Sequence, residues 1–303
     1  MRQKHPTLRL CLFLVALALI AGASALTGEQ LPAKIEYQLV ADWPAWPKDV
    51  KRDGISGSGT DSKDNVYLLH RIKPHVMVFA PDGKFLRSWD GDFTTPHGLR
   101  IDADDNVWVA DMDNHLVQKF ALDGKLLLKL GTKDKPGWTA DRFNRPADVN
   151  TGPDGEIYVA DGYGNSRIAK FAKDGTFLQD WGKKGKGPSQ FRIPHAVFLD
   201  GEKRVFVGDR ENARIQIFDR DGKLLDTWKD AGYPYGMFLH KDRVYLADGR
   251  SGAIRILDKH GKLLARWETK AGEQTPHWIN VDRKDAVYIG FVEGNKVQKW
   301  VLK

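Results

Sequence analysis

The chain has 303 residues, with 47 lysines and arginines against 40 acidic residues and a single cysteine. One cysteine cannot form an internal disulfide, so the fold must be held by its core. The lysines are spread through turn sequences along the chain and do not cluster on one element, which argues against nucleic acid as a partner.

The first 25 residues have the organisation of a secretory signal peptide. Basic residues precede an apolar run over residues 10–20, which contains Cys11, and small residues at 23–25 provide a cleavage site. No later segment approaches the ~20 apolar residues of a membrane-spanning helix. We therefore predict a signal peptide over residues 1–25, a mature domain over residues 26–303 without a membrane span, and a secreted or periplasmic location.

Two short segments recur through the remainder of the chain. One is a tight turn followed by a strand, seen at Asp82-Gly83, Asp123-Gly124, Asp174-Gly175, Asp221-Gly222 and His260-Gly261. The other is a β-branched and aromatic strand with six copies, which begin at Val66, Val107, Ile157, Val205, Val244 and Val287. Units of roughly 40 to 50 residues with this content predict an all-β, six-bladed β-propeller.

The last unit indicates how the ring of blades closes. Its third strand, 297–300, is followed by only three more residues, so it lacks a fourth strand of its own. A strand-like segment, 35–40, precedes the first unit and can supply the missing outer strand. We predict a ring closed by this N-terminal strand, which also protects a sheet edge.

Histidine occurs at one equivalent position in every second unit. Counting fourteen residues back from the end of the recurring strand, with one residue fewer in the fifth unit, gives Ser56, His97, Ala147, His195, Tyr235 and His277. The innermost strands of a propeller line the central channel, so equivalent positions form a ring and alternate blades of six lie about 120° apart. The imidazoles of His97, His195 and His277 should therefore converge.

Three converging imidazoles with an open fourth position form a catalytic zinc arrangement. Imidazole also suits copper, nickel and iron, which leaves the metal open. In the alternative interpretation, Pro-His is only a strand-entry motif whose imidazoles bond to the backbone of a neighbouring blade. The recurring aspartates at 111, 161, 209 and 248 are expected to cap turns rather than to react.

The same segments carry a resemblance to the peptidyl-α-hydroxyglycine α-amidating lyases, over nearly the whole mature chain. The sequences concerned are Thr95-Pro96-His97-Gly98-Leu99, Asp161-Gly162-Tyr163-Gly164-Asn165-Ser166-Arg167-Ile168, Ile193-Pro194-His195 and Asp209-Arg210-Glu211-Asn212. The resemblance implies a propeller of the NHL type and cleavage of a peptidyl-α-hydroxyglycine into a peptide amide and glyoxylate.

The resemblance also implies roles for particular residues. The three histidines match the family's zinc ligands, Tyr163 matches its catalytic tyrosine, Arg71 matches its active-site arginine, and Arg210 matches a further arginine near the site. Calcium is in doubt, because Trp278 stands where the family has a calcium-binding aspartate. The family's disulfides are absent, with Gly164 at one cysteine position, and Thr275 replaces a methionine.

We therefore expect an exported, monomeric metal-dependent lyase that acts on a small-molecule or peptide substrate containing an α-hydroxyglycine or a similar carbinolamide. A metal-dependent lactonase or hydrolase is a second enzymatic interpretation, which the three-histidine set disfavours. A non-enzymatic NHL-type propeller that binds a peptide, a glycan or an envelope partner is the third. An open fourth coordination position would favour chemistry, and a protein side chain that fills it would favour a structural metal.

Overall fold

The strands of the computed structural model form six separate four-stranded antiparallel sheets. The structure describes residues 35–269, 275–294 and 296–303, so the predicted signal peptide over residues 1–25 lies outside the described residues. Within those ranges the only helical element is a 3₁₀ turn, Arg210–Asn212. None of the described helical structure is long and apolar enough to cross a membrane.

The N-terminal strand and the first three blades run in chain order. They comprise β1 (Tyr37–Leu39); β2 (Ile55–Thr60), β3 (Val66–His70), β4 (Val76–Phe79) and β5 (Phe85–Trp89); β6 (Pro96–Ile101), β7 (Asn106–Asp111), β8 (Leu116–Ala121) and β9 (Leu126–Leu130); β10 (Asp148–Thr151), β11 (Ile157–Asp161), β12 (Arg167–Phe171) and β13 (Phe177–Trp181).

The last three blades follow the same order from the inner strand outward. They comprise β14 (Pro194–Leu199), β15 (Val205–Asp209), β16 (Arg214–Phe218) and β17 (Leu224–Lys229); β18 (Pro234–His240), β19 (Arg243–Asp248), β20 (Ala253–Asp258) and β21 (Leu263–Glu268); β22 (Pro276–Val281), β23 (Val287–Phe291) and β24 (Val297–Leu302), which β1 completes. The prediction of an all-β, six-bladed propeller is confirmed.

The core lies between neighbouring blades. The second strands are almost entirely buried, as in β3 and β11, whereas the outer strands are largely half-buried or exposed, as in β13 and β5. A typical cluster joins Tyr67 and Val78 of the first blade to Leu99 and Val109 of the second. Both faces of each sheet are covered, one by each neighbouring blade, which explains why the recurring strand is rich in β-branched and aromatic residues.

The last blade closes the ring as predicted. Strand β1 pairs antiparallel with β24, with Tyr37 opposite Leu302 and Leu39 opposite Trp300. The ring of Tyr37 also stacks on Trp267 of the fifth blade, with ring centroids 4.7 Å apart. The N-terminal strand therefore ties together the fifth and sixth blades while it covers an open sheet edge.

The repeated Asp-Gly turns contribute to the contact between blades. Gly124 has a φ of 91°, in the left-handed region, and a Cβ at this position would lie 2.8 Å from the indole of Trp89 in the preceding blade. The same contact recurs between Gly222 and Trp181. The turn therefore needs glycine both for its backbone conformation and for the room that the indole takes.

The substitution Gly124→Ala should destabilise the protein by roughly 1–2 kcal/mol from the left-handed backbone alone, with a further loss from the displaced indole. Gly201→Ala is a matched control, since a Cβ there has no atom within 4 Å. Urea unfolding of both variants measures the difference. Equal unfolding free energies would contradict the role given to the turn.

Candidate metal centre

A β-bulge places each candidate ligand at the start of an inner strand. In β6, Pro96 pairs with Asp111 and Gly98 pairs with Ala110, so His97 is an extra residue in the ladder. The register shifts in the same way around His195 and His277. A bulge bends the strand and re-aims one side chain, here toward the axis of the propeller.

The structure brings the three predicted histidines together at that axis. Their ring centroids are 4.8, 4.8 and 5.0 Å apart, and the candidate ligand atoms all lie within 4.8 Å of one another. All three side chains are buried. In the described part of the chain, no cysteine or carboxylate joins this group. The three imidazoles could therefore bind one metal ion, with no other histidine, cysteine or carboxylate of the described residues as a ligand.

Backbone carbonyls of the next blade orient two of the imidazoles. The Nδ1 of His97 lies 2.7 Å from the carbonyl oxygen of Ala147, and the Nδ1 of His195 lies 2.5 Å from that of Tyr235. A carbonyl only accepts, so Nδ1 carries the proton and Nε2 presents a lone pair. The third imidazole, that of His277, lies near the backbone of Ser56, but its Nδ1 is buried without a hydrogen bond.

His97 and His195 form the hydrogen bonds to backbone carbonyls of the next blade that the strand-entry interpretation expects, and the three rings also converge. The two interpretations are therefore compatible, because a carbonyl on Nδ1 is the usual support of a metal-binding histidine.

The local electrostatics keep the imidazoles neutral. Burial lowers the pKa of His97 and of His195 well below the usual value, and neighbouring imidazoles and arginines act in the same direction. Burial, Arg71 and Arg210 lower the pKa of His277 to about 3. Neutral imidazole is the form that binds metal, so the triad fits a divalent ion at neutral pH.

Tyr163 lies against two of these histidines. Its hydroxyl oxygen is 3.0 Å from the Nε2 of His97 and 2.8 Å from that of His195, and it accepts a hydrogen bond of 3.1 Å from Nη1 of Arg210. Burial raises the pKa of Tyr163, while Arg210 and Arg71 lower it without cancelling the effect of burial. The phenol therefore needs further positive charge to ionise near neutral pH.

A pocket of about 270 Å³ opens beside the triad. It is lined by Arg71, Tyr163, Arg210, Tyr235, Thr275, His277, Val292 and Glu293. All three residues predicted to be catalytic thus lie together on the pocket wall. The positions of Val292 and Glu293 on the pocket wall could not be predicted from the sequence, because a turn residue in a single copy carries no periodic signal.

Arg71 differs from the other arginines around this pocket. Its Nε is buried without a hydrogen-bond partner, and within the described ranges its guanidinium makes no hydrogen bond or ion pair. Arg210, by contrast, donates from Nε to Glu211 over 3.0 Å. A desolvated guanidinium that lacks a carboxylate is a ready binding group for an anion.

The channel beneath the histidines is filled by a buried ion pair. Arg100 donates to both carboxylate oxygens of Asp148, over 3.1 and 2.8 Å, and to the carbonyl of Met237. The indole of Trp278 stacks on this guanidinium with 4.4 Å between Cζ and the ring centroid. The residue that put calcium in doubt therefore packs against an internal cation, and the expectation about calcium stays a prediction.

The recurring aspartates hold the approach to the inner strands. Asp111 accepts hydrogen bonds of 2.8 Å from the backbone N–H groups of Thr94 and Thr95, just before β6. Asp209 does the same for Arg192 over 2.7 Å. These carboxylates cap turns, as the sequence analysis expected, and so help to fix the bulges that carry the histidines.

The substitution Arg100→Met should destabilise the protein by about 3–5 kcal/mol, because it leaves the Asp148 carboxylate buried without a counter-charge. Burial already raises the pKa of Asp148 against the effect of Arg100. Protonation of Asp148 removes the unpaired buried charge from the variant. Its loss of unfolding free energy relative to the wild type should therefore become smaller as the pH falls toward the carboxyl range. Urea unfolding at neutral and acidic pH tests this.

The matched control is the double variant Arg100→Met/Asp148→Asn, which removes both charges. We expect it to recover most of the lost stability. A single variant as stable as the wild type would contradict the role given to the ion pair.

Comparison with known proteins agrees with the class that the fold and the site define, a six-bladed propeller of NHL type. The NHL repeat description matches residues 93–120 and 143–171. The human NHL repeat-containing protein 3 is 33% identical over 294 residues, which cover 88% of this chain and 85% of that protein. The chain therefore belongs to the NHL repeat family.

Relatives of the chain also include lyases. A probable peptidyl-alpha-hydroxyglycine alpha-amidating lyase of Caenorhabditis elegans is 40% identical over 148 residues, which cover 48% of this chain and 42% of that protein. Among solved structures, a gluconolactonase of Xanthomonas campestris has a TM-score of 0.65 at 17% identity, covering 83% of this chain and 87% of that chain. The second likeness concerns the fold alone.

Proposed function

We propose that the chain is an exported, metal-dependent lyase that cleaves a peptidyl-α-hydroxyglycine, or a similar carbinolamide, into an amide and glyoxylate. One observation carries the proposal: Arg71, whose guanidinium pairs with no described residue, and the hydroxyl of Tyr163 line the same pocket beside three neutral imidazoles. Similarity to a probable lyase over 48% of the chain supports it. The substrate is a small molecule or peptide, and the enzyme acts as a monomer.

Zinc is the metal that best suits the donor set. His97, His195 and His277 would hold it through Nε2, since Nδ1 of the first two is engaged with carbonyl oxygens. When bound, zinc supplies a Lewis acid that acidifies a hydroxyl group and adds positive charge beside the phenol.

The chain's own residues account for binding and proton transfer. Arg71 binds the carboxylate of the hydroxyglycine, because among the described residues its guanidinium forms no ion pair with a carboxylate. The Tyr163 oxygen takes the proton of the α-hydroxyl group. The electron pair left on the α-hydroxyl oxygen forms the carbonyl of glyoxylate, and the bond from the α-carbon to nitrogen breaks. The nitrogen takes up the proton from Tyr163 to give the amide.

Arg210 is the positioning group for Tyr163. It donates to the hydroxyl oxygen over 3.1 Å, and its Cζ lies 5.2 Å from the phenol ring centroid. A cation at this distance favours the phenolate, which is the form that accepts a proton.

The substitution Tyr163→Phe should lower kcat for glyoxylate release by about 10²- to 10⁴-fold, because it removes the group that moves the proton. Metal content should stay at the wild-type level, since the three imidazoles remain. Elemental analysis alongside the kinetic assay separates the two roles. Loss of the metal from this variant would show that Tyr163 completes a closed, structural site, and would contradict the proposal.

The substitution Arg71→Met should lower kcat/KM by roughly 10- to 100-fold through KM, because it removes a charge-assisted contact to the substrate carboxylate. A substrate whose carboxylate is replaced by a neutral amide should show almost no difference between wild type and variant. Arg266→Met is the matched control, since Arg266 is exposed, pairs with Glu268 over 3.5 Å and does not line this pocket. Equal losses on both substrates would contradict carboxylate binding by Arg71.

The second candidate is a non-enzymatic propeller whose metal ties the blades together. The similarity to NHL repeat-containing protein 3 favours it, because that relative covers more of the chain than the lyase and has no activity in its name. The Tyr163→Phe experiment separates the two candidates. A lactonase is disfavoured, because lactonase propellers usually hold a harder cation with carboxylate ligands, and no described carboxylate joins the three histidines.

A further inference from the structure

A second pocket lies on the fourth and fifth blades, separate from the one beside the triad. It has a volume of about 440 Å³. Its wall is formed by Ala213, Asp230, Gly232, Tyr233, Asp248, Arg250, Ser251 and Arg255. None of these residues has a part in the chemistry proposed above, yet the pocket is larger than the one that contains Arg71.

The two pockets share the chain segment that leads into β18. Tyr235 lies on the bulge of this strand and faces the triad, with its ring centroid 6.0 Å from that of His277. Tyr233, two residues earlier, lines the second pocket. A substrate whose reacting end lies beside His277 would therefore extend over Tyr235 toward Tyr233.

Charged side chains continue the same path. Glu211 accepts from Nε of Arg210 over 3.0 Å with one oxygen and from Nη2 of Arg250 over 2.5 Å with the other. Arg210 lines the first pocket and Arg250 lines the second, so Glu211 joins the two sites through one carboxylate.

The geometry of Arg250 indicates what the second pocket would bind. Its guanidinium carbon lies 4.2 Å from the ring centroid of Tyr233, and the side chain is 50% exposed. Glu211 already balances its charge, which disfavours an additional carboxylate. A planar guanidinium stacked on a tyrosine still offers a flat, accessible surface, on which an aromatic ring can stack.

We propose that this second pocket is the subsite for the residue that precedes the hydroxyglycine, and that Arg250 and Tyr233 select an aromatic side chain there. The inference rests on the proposed function for the direction in which the substrate lies. It adds the substrate class: peptides that end in an aromatic residue followed by the hydroxyglycine.

Binding of uncleavable analogues to the metal-loaded protein tests the subsite without turnover. The probes are acetyl-phenylalanyl-glycine, acetyl-alanyl-glycine and acetyl-glutamyl-glycine, which lack the α-hydroxyl group, and calorimetry gives each Kd. We expect the phenylalanyl peptide to bind about 5-fold more tightly than the alanyl peptide, as stacking and burial of the ring require. The glutamyl peptide should show no such gain.

Two variants separate stacking from charge. Arg250→Ala and Arg250→Lys should both abolish the preference, because lysine keeps the charge and loses the planar surface. Arg266→Ala is the control for loss of an exposed arginine that lines neither pocket, and it should keep the preference. A preference that survives in both Arg250 variants, or a wild type that favours the glutamyl peptide, would overturn the proposal.

The proposed function fails in a distinguishable way. If wild type releases no glyoxylate from acetyl-phenylalanyl-α-hydroxyglycine while the binding preference holds, the lyase proposal falls and the aromatic subsite stands. If glyoxylate is released with equal kcat/KM from the phenylalanyl and alanyl substrates, the subsite falls and the lyase proposal stands.

Discussion

The site depends on one backbone feature, the β-bulge at the start of the inner strands. It inserts one residue into the ladder and aims that residue at the axis, where His97, His195 and His277 come within reach of one another. Two features of the surrounding structure support this geometry. Carboxylates such as Asp111 hold the segments that enter the strands, and the blades pack tightly enough to keep the three rings out of water.

Burial then has opposite consequences for two kinds of group. It keeps the imidazoles neutral, which suits metal binding, and it raises the pKa of Tyr163, which opposes ionisation. Arg210 and Arg71 lower the pKa of Tyr163 but do not cancel the effect of burial. A metal ion in the triad would supply the missing charge, so the ligand set and the proposed base form one electrostatic unit. Under the proposed function, this coupling would let a buried tyrosine that contacts two histidines act as a base.

Much of this could be predicted from the sequence, because propeller blades repeat. The strand copies fixed the number of blades, the short last unit predicted closure by residues 35–40, and equal spacing aligned the histidines. Features that depend on contacts between distant residues had no such signal. Arg100 meets the carbonyl of Met237 from a position 137 residues away, and the absence of a partner for Nε of Arg71 in the described part of the chain is evident only from its surroundings. The sequence predicted that Tyr235 occupies the position equivalent to the histidines in the fifth blade. Its location between two pockets could not be predicted.

The central claim is that the three histidines bind one catalytic metal, and metal content tests it most directly. Elemental analysis of the purified, zinc-reconstituted protein should give about one zinc per chain in the wild type and almost none in His195→Ala. The control His240→Ala alters a histidine that pairs with Asp285 away from the site, and should keep the metal. Wild-type protein without zinc, or a His195→Ala variant that retains it, would contradict the account.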